Sequence, residues 1–311
     1  MKEQKNKPLI GFCGQGWIGK NYADDFERRG YDIVRYALEE PYVKNKDKIK
    51  DCDIVFIAVP TPSTPRGFDD SILRQVVSLV GSKKTAVIKS TLLVGATESI
   101  QNENPDIFVM HSPEFLTEAT AAHDAANPNR NIIGIPIDNK DYRQKAKEIL
   151  DILPPASYQL ICSAKEAEII KYGGNNWFYF KVVFVNLLYD LAAKNNCNYD
   201  TIRDGMAADR RIGKSHLMPV HKSGTLGSDN YDLRTEKDQG GGRGAGGHCF
   251  IKDFTAFREM YEKTVGDQKG LALLKAIEDK NIDLLLKSNK DIDLLKDVYG
   301  QDIINKFKEY E

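Results

Sequence analysis

Short apolar runs punctuate the first half of the chain, and most end in glycine, proline or polar residues. Residues 8–13 (PLIGFC), 31–36 (YDIVRY), 53–59 (DIVFIAV), 85–88 (TAVI), 107–111 (IFVMH) and 131–135 (NIIGI) read as strands, being apolar and too short for helices. The run at 53–59 lacks polar alternation, the pattern of a parallel strand buried on both faces. Helical patterns follow the first run to Arg29, occupy 71–81, and return at about 142–153. Residues 37–51 leave little room for a crossover helix, so the second connection is expected to be abbreviated. Strand and helix alternating in this way predict an α/β domain, a doubly wound, Rossmann-like parallel sheet over residues 1–155.

Pro154-Pro155 reads as the boundary, after which strand patterns nearly vanish. Residues 164–194 read as one long helix despite Gly173 and Gly174, each of which costs ~1 kcal/mol relative to alanine inside a helix. Residues 269–311 form a helical tail with Leu273, Leu274, Ile277, Leu284 and Leu285 on its apolar face. The expectation for 156–311 is an all-helical domain around a long central helix.

Composition narrows the chemistry. With 44 Lys and Arg against 45 Asp and Glu among 311 residues, no charge excess points to nucleic acid or an anionic membrane. The five cysteines are odd in number, scattered and without a CxxC pair, which argues against a disulfide framework or a zinc site and for a reducing cytoplasm. No apolar run approaches the ~18 residues of a membrane span. The polar, basic residues 1–7 do not read as a signal peptide.

The first strand runs into Gly14-Gln15-Gly16-Trp17-Ile18-Gly19, and a helix follows. Strand, GxGxxG and helix together are the setting in which this motif binds a dinucleotide: the first glycine makes the turn, the second admits the pyrophosphate, and the third lets the helix pack. An NAD site usually has an acidic residue at the end of the second strand. Here Tyr36-Ala37-Leu38 stand there, the first carboxylates are Glu39 and Glu40, and Arg35 suits a 2′-phosphate. NAD is the expected cofactor, with NADP left open.

The second candidate is the glycine-rich stretch 240–247, which runs into His248, Cys249, Phe250, Ile251, Lys252 and Asp253. So much glycine needs a reason, and one is close approach of backbone to a ligand. If the chain is helical from Phe250 onward, Cys249 and Asp253 are one turn apart on one face. A cysteine at a helix start beside a cation is a candidate thiolate nucleophile. A buried structural cysteine after a surface loop is the plainer alternative. Lys171 and Asn175, at i and i+4 in the long helix, also share a face.

The motifs, taken in order, resemble those of the UDP-glucose/GDP-mannose dehydrogenase family: GQGWIG (14–19), VPTP (59–62), KST with the later VG (89–95), SPEFLTEATAAHDAANPNR (112–130), AEIIKYGGN (167–175), DRRIG (209–213) and GAGGHCFIKD (244–253). The resemblance implies a four-electron oxidation of the C6 primary alcohol of a nucleotide sugar, in which Cys249 is the nucleophile. Lys171 and Asn175 match the groups that stabilise the oxyanion. Asp253 matches the aspartate that holds the water or base, Glu114 the glutamate that activates hydrolytic water, and Thr91 the threonine near that water. The cofactor site implied comprises Gly14 to Gly19, Val59, Pro60, Thr61, Ser90, Thr91, Glu118 and Lys252. The substrate site implied comprises Glu114, Phe115, Leu116, Thr117, Glu118, Lys171, Asn175, Arg211, Gly246 and Gly247, with Arg211 reaching into a neighbouring subunit. EFLTE at 114–118 looks most like the UDP-glucose branch.

The segment 214–239 is longer than in many family members, and the chain stops where the family's third, nucleotide-binding domain is expected to begin. Implied partners are a nucleotide-sugar substrate and a second copy of the chain, forming a homodimer through the helix at 164–194; no metal, nucleic acid or membrane is expected. Two other readings stand beside this one: a two-electron dehydrogenase of the β-hydroxyacid type, which needs no covalent trap, and a truncated, non-catalytic cofactor-binding partner.

Overall fold

The structure, a computed structural model, describes residues 7–224 and 241–308. Gly240 and most of the long segment at 214–239 lie outside the described residues. The chain divides into two compact units: the first comprises Met1–Thr61, Asp69–Leu116 and Thr120–Lys171, and the second comprises Pro62–Phe68, Thr117–Ala119 and Tyr172–Glu311.

Unit one is built on seven strands: β1 (Ile10–Cys13), β2 (Ile33–Tyr36), β3 (Ile54–Ile57), β4 (Thr85–Ile88), β5 (Phe108–His111), β6 (Arg130–Ile135) and β7 (Tyr158–Ser163). They lie in the order β2-β1-β3-β4-β5-β6-β7. Connections leave in opposite directions from β1 and β3, so the switch point at which such folds bind ligands lies between those two strands. Helices α1 (Trp17–Arg28), α2 (Ser71–Val77), α3 (Ala96–Glu103), α4 (Ala121–Ala126) and α5 (Lys140–Ile152) belong to this unit. As expected, a short 3-10 helix at Val43–Asp51 replaces a full crossover helix after β2. Phe12, Phe26 and Phe56 cluster in the core with centroids 5.3–5.4 Å apart, an arrangement that adds about 1 kcal/mol per pair beyond area burial.

Two expectations are corrected here. The sheet does not stop at Pro155, because β7 pairs in parallel along the whole of β6, Arg130 opposite Tyr158 through Ile135 opposite Ser163. Without β7, the backbone donors and acceptors of β6 would form an open edge. Pro154-Pro155 therefore lies in the connection from α5 to the last strand, and the unit continues to Lys171. The sheet is also not wholly parallel, since β5 meets β6 in antiparallel fashion at His111 and Gly134.

Helix α6 runs without interruption from Ala164 to Lys194, the range read from the sequence. Its first turns are fixed within unit one. The buried carboxylate of Glu168 accepts from the backbone N–H groups of Gly95 and Thr97 at 2.6 and 2.9 Å and from Thr97 Oγ1 at 2.6 Å, capping the start of α3. A Cβ at Gly134 would come within 2.6 Å of Ala167 Cβ, so this glycine lets α6 sit close on β6.

Unit two contains the rest of α6, α7 (Tyr199–Ala207), α8 (His248–Thr264), α9 (Gln268–Lys287), α10 (Ile292–Tyr299) and α11 (Ile303–Lys308). Tyr179 stacks on Phe254 at 4.0 Å, which packs α6 against α8. Two short antiparallel strand pairs, Ser63–Thr64 with Gly67–Phe68 and Val220–His221 with Gly242–Arg243, are its strands among the described residues.

Candidate active site

The glycine turn after β1 has the geometry its motif requires. Gly14 has φ 89°, and a Cβ there would collide with the carbonyl oxygen of Ala58. A Cβ at Gly19 would strike the Gly14 carbonyl. By contrast, a Cβ at Gly16 would meet nothing within 4 Å. That open face lies at the start of α1, whose first turn has no acidic residue and whose cap residue makes no side-chain hydrogen bond. Unpaired N–H groups and the helix dipole favour an anion at such a place. The residues present therefore fit the pyrophosphate of a dinucleotide. Val59 and Ser90 interlock beside the turn: Val59 N donates to Ser90 Oγ at 3.0 Å, and Ser90 Oγ donates to Val59 O at 2.7 Å. Buried Thr61 donates to Thr91 O at 2.9 Å, while Pro60 is exposed. Arg35 is already engaged by two carboxylates, Asp24 at 2.7 Å and Glu27 at 2.9 Å.

A buried charged cluster occupies unit one. Lys171 Nζ donates to Glu114 O at 2.6 Å and to Glu114 Oε2 at 3.3 Å, and both side chains are about 95% buried. The other Glu114 oxygen accepts from Leu116 N, two residues further on. Phe115 lies beneath the cations of Arg130, at 3.8 Å, and Lys171, at 5.8 Å. Sequence reasoning quoted Lys89 without giving it a part, yet it is buried here. It donates to Ser112 Oγ at 3.0 Å and stands 4.5 Å over the Tyr22 ring. Burial holds the Lys89 ammonium down to about 8; Glu114 opposes that shift and Lys171 adds to it. His111, bonded through Nε2 to Ser90 O at 3.2 Å, is kept neutral by burial, which pushes its pKa down to about 3. Only the sequence position of Lys89 and His111, at and beside strand ends that deliver polar groups, could have flagged them.

Unit two holds the second cluster. Asn175 Nδ2 donates to Asp253 Oδ2 at 2.6 Å, and Lys252 Nζ pairs with Asp253 Oδ1 at 2.5 Å. Asp253 is 1% exposed. Ser63 Oγ donates to Lys252 O at 3.1 Å, holding the same turn of α8. The helix begins at His248, two residues earlier than the start at Phe250 considered from the sequence, so Cys249 lies in its first turn, one turn before Asp253 and half-buried. Among the described residues none of the five cysteines is in a disulfide. Thr117 is half-buried and Glu118 exposed, and the Glu118 carboxylate lies 2.5 Å from where a Gly224 Cβ would be. Arg211 is exposed and paired with Asp209 at 2.6 Å. Next to Asn175, the amide of Asn176 is 4% exposed, and neither of its polar atoms has a partner among the described residues.

Three glycines of the loop before Cys249 are also required by the protein's own packing. A Cβ at Gly242 would fall 2.7 Å from Lys290 Cβ, one at Gly244 would fall 3.1 Å from Asn281 Oδ1, and one at Gly246 would overlap the Asp291 carboxylate. At these three positions protein atoms exclude a side chain.

Strand order, glycine turn and open helix start define a dinucleotide-binding domain, here joined by a long helix to a helical unit. The chain belongs to the UDP-glucose/GDP-mannose dehydrogenase family: the family's NAD-binding-domain model matches residues 40–153 and its central-domain model residues 165–233, together more than half of the chain. A UDP-glucose 6-dehydrogenase of Rickettsia prowazekii is 26% identical over 287 residues, 88% of this chain and 58% of that protein. The chain thus spans little more than half the length of that relative. A UDP-glucose dehydrogenase from Pyrobaculum islandicum has a similar fold, with a TM-score of 0.72 at 21% identity, over 92% of this chain and 72% of that one. The fold of a 3-hydroxyisobutyrate dehydrogenase from Mycobacterium tuberculosis is also similar, with a TM-score of 0.66 at 13% identity, over 97% of this chain and 99% of that one. No helix among the described residues is long and apolar enough to cross a membrane, and no group of acidic, histidine and cysteine side chains among them could hold a metal.

Proposed function

We propose that the chain carries the catalytic groups of a nucleotide-sugar 6-dehydrogenase, with UDP-glucose the favoured substrate and UDP-glucuronate the product. The observation that carries this reading is Cys249 in the first turn of α8, one turn before an Asp253 carboxylate held by Asn175 and Lys252.

The Gly14–Gly19 turn would hold NAD, which would supply the hydride acceptor for each of two oxidations. Between them Cys249 traps the aldehyde: its sulfur bonds to C6, and the former carbonyl oxygen becomes a hydroxyl that Lys171 and Asn175 stabilise as charge develops on it. Loss of the second hydride leaves a thioester. Glu114 takes a proton from the attacking water, the C–S bond breaks, and the sulfur leaves as thiolate with the sugar acid. Asp253 holds a water or base for these proton transfers, and Thr91 orients the hydrolytic water. Glu118 and Lys252 serve the nicotinamide end.

NAD is preferred over NADP in this reading, because Arg35 is engaged by Asp24 and Glu27 and Glu39 or Glu40 is available to the ribose. The active form is a homodimer through α6, and Arg211 completes the partner's substrate site. Its exposed side chain supports that role.

The test is to supply UDP-glucose, GDP-mannose and a β-hydroxy acid in turn, each with NAD or NADP, and to count reduced cofactor per substrate consumed. Two NADH per UDP-glucose supports the proposal. One NADH per hydroxy acid supports the two-electron reading, and no turnover with tight NAD binding supports a non-catalytic partner.

A further inference from the structure

The loop that leads to Cys249 is tied down almost residue by residue from one short stretch of chain some forty positions later. Asn281, on α9 and 1% exposed, accepts from Ala245 N at 2.6 Å and donates to Ala245 O at 3.0 Å. Ser288 accepts from Arg243 N at 2.9 Å. Lys290, 7% exposed, donates to Gly244 O at 2.9 Å and Gly242 O at 3.4 Å, and its third contact is His221 Nε2 at 2.9 Å. His221 Nδ1 faces Met218 O at 3.0 Å and donates to it, which leaves Nε2 as the acceptor for Lys290. Asp291 accepts from Gly247 N at 2.7 Å and from Ser223 Oγ at 2.5 Å. The linker between α9 and α10 is bent to do this: Asn289 and Asp291, on either side of Lys290, both have left-handed backbones, with φ 51° and 54°.

A solvated glycine loop would have no use for such contacts. Burying a lysine among carbonyls and a neutral imidazole is costly, and burial lowers its pKa to about 8. The cost is offset only because each ammonium proton finds an acceptor, and two of the three acceptors are carbonyls of the loop.

We propose that Asn281, Ser288, Lys290 and Asp291 form a clamp that sets the backbone of residues 242–247 and so fixes where Cys249 stands, with Lys290 as its central positioning residue. The physical claim needs no activity. Only its catalytic consequence rests on Cys249 being the nucleophile.

The test uses the full chain. Lys290→Met keeps the length of the stem and removes the donors, whereas Lys290→Arg keeps donors and charge. Hydrogen exchange of the 242–247 amides and alkylation of Cys249 by iodoacetamide are measured, with exposed Cys197 in the same sample as the reference. In Lys290→Met, loop exchange and the Cys249-to-Cys197 alkylation ratio should both rise about tenfold, equivalent to ~1.4 kcal/mol of easier local opening. Exchange in α1 should be unchanged, and the arginine variant should recover most of the difference. Where UDP-glucose is turned over, kcat should fall while the KM for NAD holds. A folded Lys290→Met with wild-type exchange and alkylation, or an arginine variant as loose as the methionine one, would overturn the clamp. If Lys290→Met does not fold, Asp291→Ala, which removes the acceptor for Gly247 N, carries the same two outcomes. A loosened loop in a chain whose wild type oxidises no sugar would leave the clamp standing and remove the functional reading instead.

Discussion

Asn175 Nδ2 lies 2.6 Å from Asp253 Oδ2, joining α6 to α8 through a carboxylate that is 1% exposed. The other carboxylate oxygen belongs to Lys252, which is itself partly exposed. Asn175→Leu would leave a buried charged acceptor with one partner fewer, so it should cost about 2 kcal/mol in urea unfolding. Lys252→Met should cost less, because water can reach the position the ammonium vacates. Equal, negligible losses would mean that the Asp253 carboxylate is not held as described.

The Lys171–Glu114 pair makes a larger demand, because both groups are buried. Removing one charge strands the other: Lys171→Met should destabilise by about 3–5 kcal/mol, and adding Glu114→Leu should recover much of that. A double-mutant cycle measures the coupling. Additive losses would contradict an interacting pair.

The parts of the fold and site that were legible in the sequence are those set by local pattern. The limits of α6, the glycine turn after β1 and the one-turn spacing of Cys249 and Asp253 depend on periodicity and on residues adjacent in the chain. Strand β7 was missed because Pro154-Pro155 carries the mark of a boundary, and YQLICS takes its place through pairing with the distant β6 and packing of Ile161 on the core. The burial of Lys89 and the clamp on residues 242–247 were illegible for the same reason. Ser112, Tyr22, Asn281 and Lys290 lie tens of residues from the groups they contact, and nothing local announces them.

Three buried histidines each favour unfolding as the pH falls. Burial pushes His111 and His216 down to about 3 from an ordinary 6.5 and His221 well below its ordinary value. They are neutral in the folded state, whereas the unfolded chain binds protons as the pH falls below about 6.5. The stability they contribute is therefore present above that pH and is lost toward 3, at ~1.4 kcal/mol per pH unit for each. His216 stacks on Phe178 at 4.2 Å, so His216→Phe keeps the packing and removes the titration. Between pH 7 and 5 this variant should lose about 2 kcal/mol less than the wild type. Identical pH dependence would show that His216 is not held neutral. The comparison between variants matters because buried Glu168 and Glu278, whose pKa values burial raises, oppose the trend at lower pH.

On unit two's stretch of α6, Trp177, Phe184, Leu187 and Leu191 are 48–66% exposed at spacings that put them on one side of the helix. A second copy of α6 is the occupant proposed for this stripe. Phe184→Glu should shift sedimentation from dimer to monomer at micromolar concentration while leaving the circular dichroism of the fold unchanged. A wild-type chain that sediments as a fully active monomer would dismiss the dimer.

Cys249 carries the central claim, and acid formation by its variants tests that claim most directly. With UDP-glucose and NAD, the wild type should yield two NADH and one UDP-glucuronate per sugar. Cys249→Ala should form no acid yet bind NAD normally, and Cys249→Ser, with its far weaker nucleophile, should stop at the aldehyde or its hydrate. Glu114→Gln should accumulate sugar nucleotide bound to Cys249 as the thioester, visible in the intact mass. Acid production by Cys249→Ala at near the wild-type rate, still with two NADH per sugar, would contradict the account.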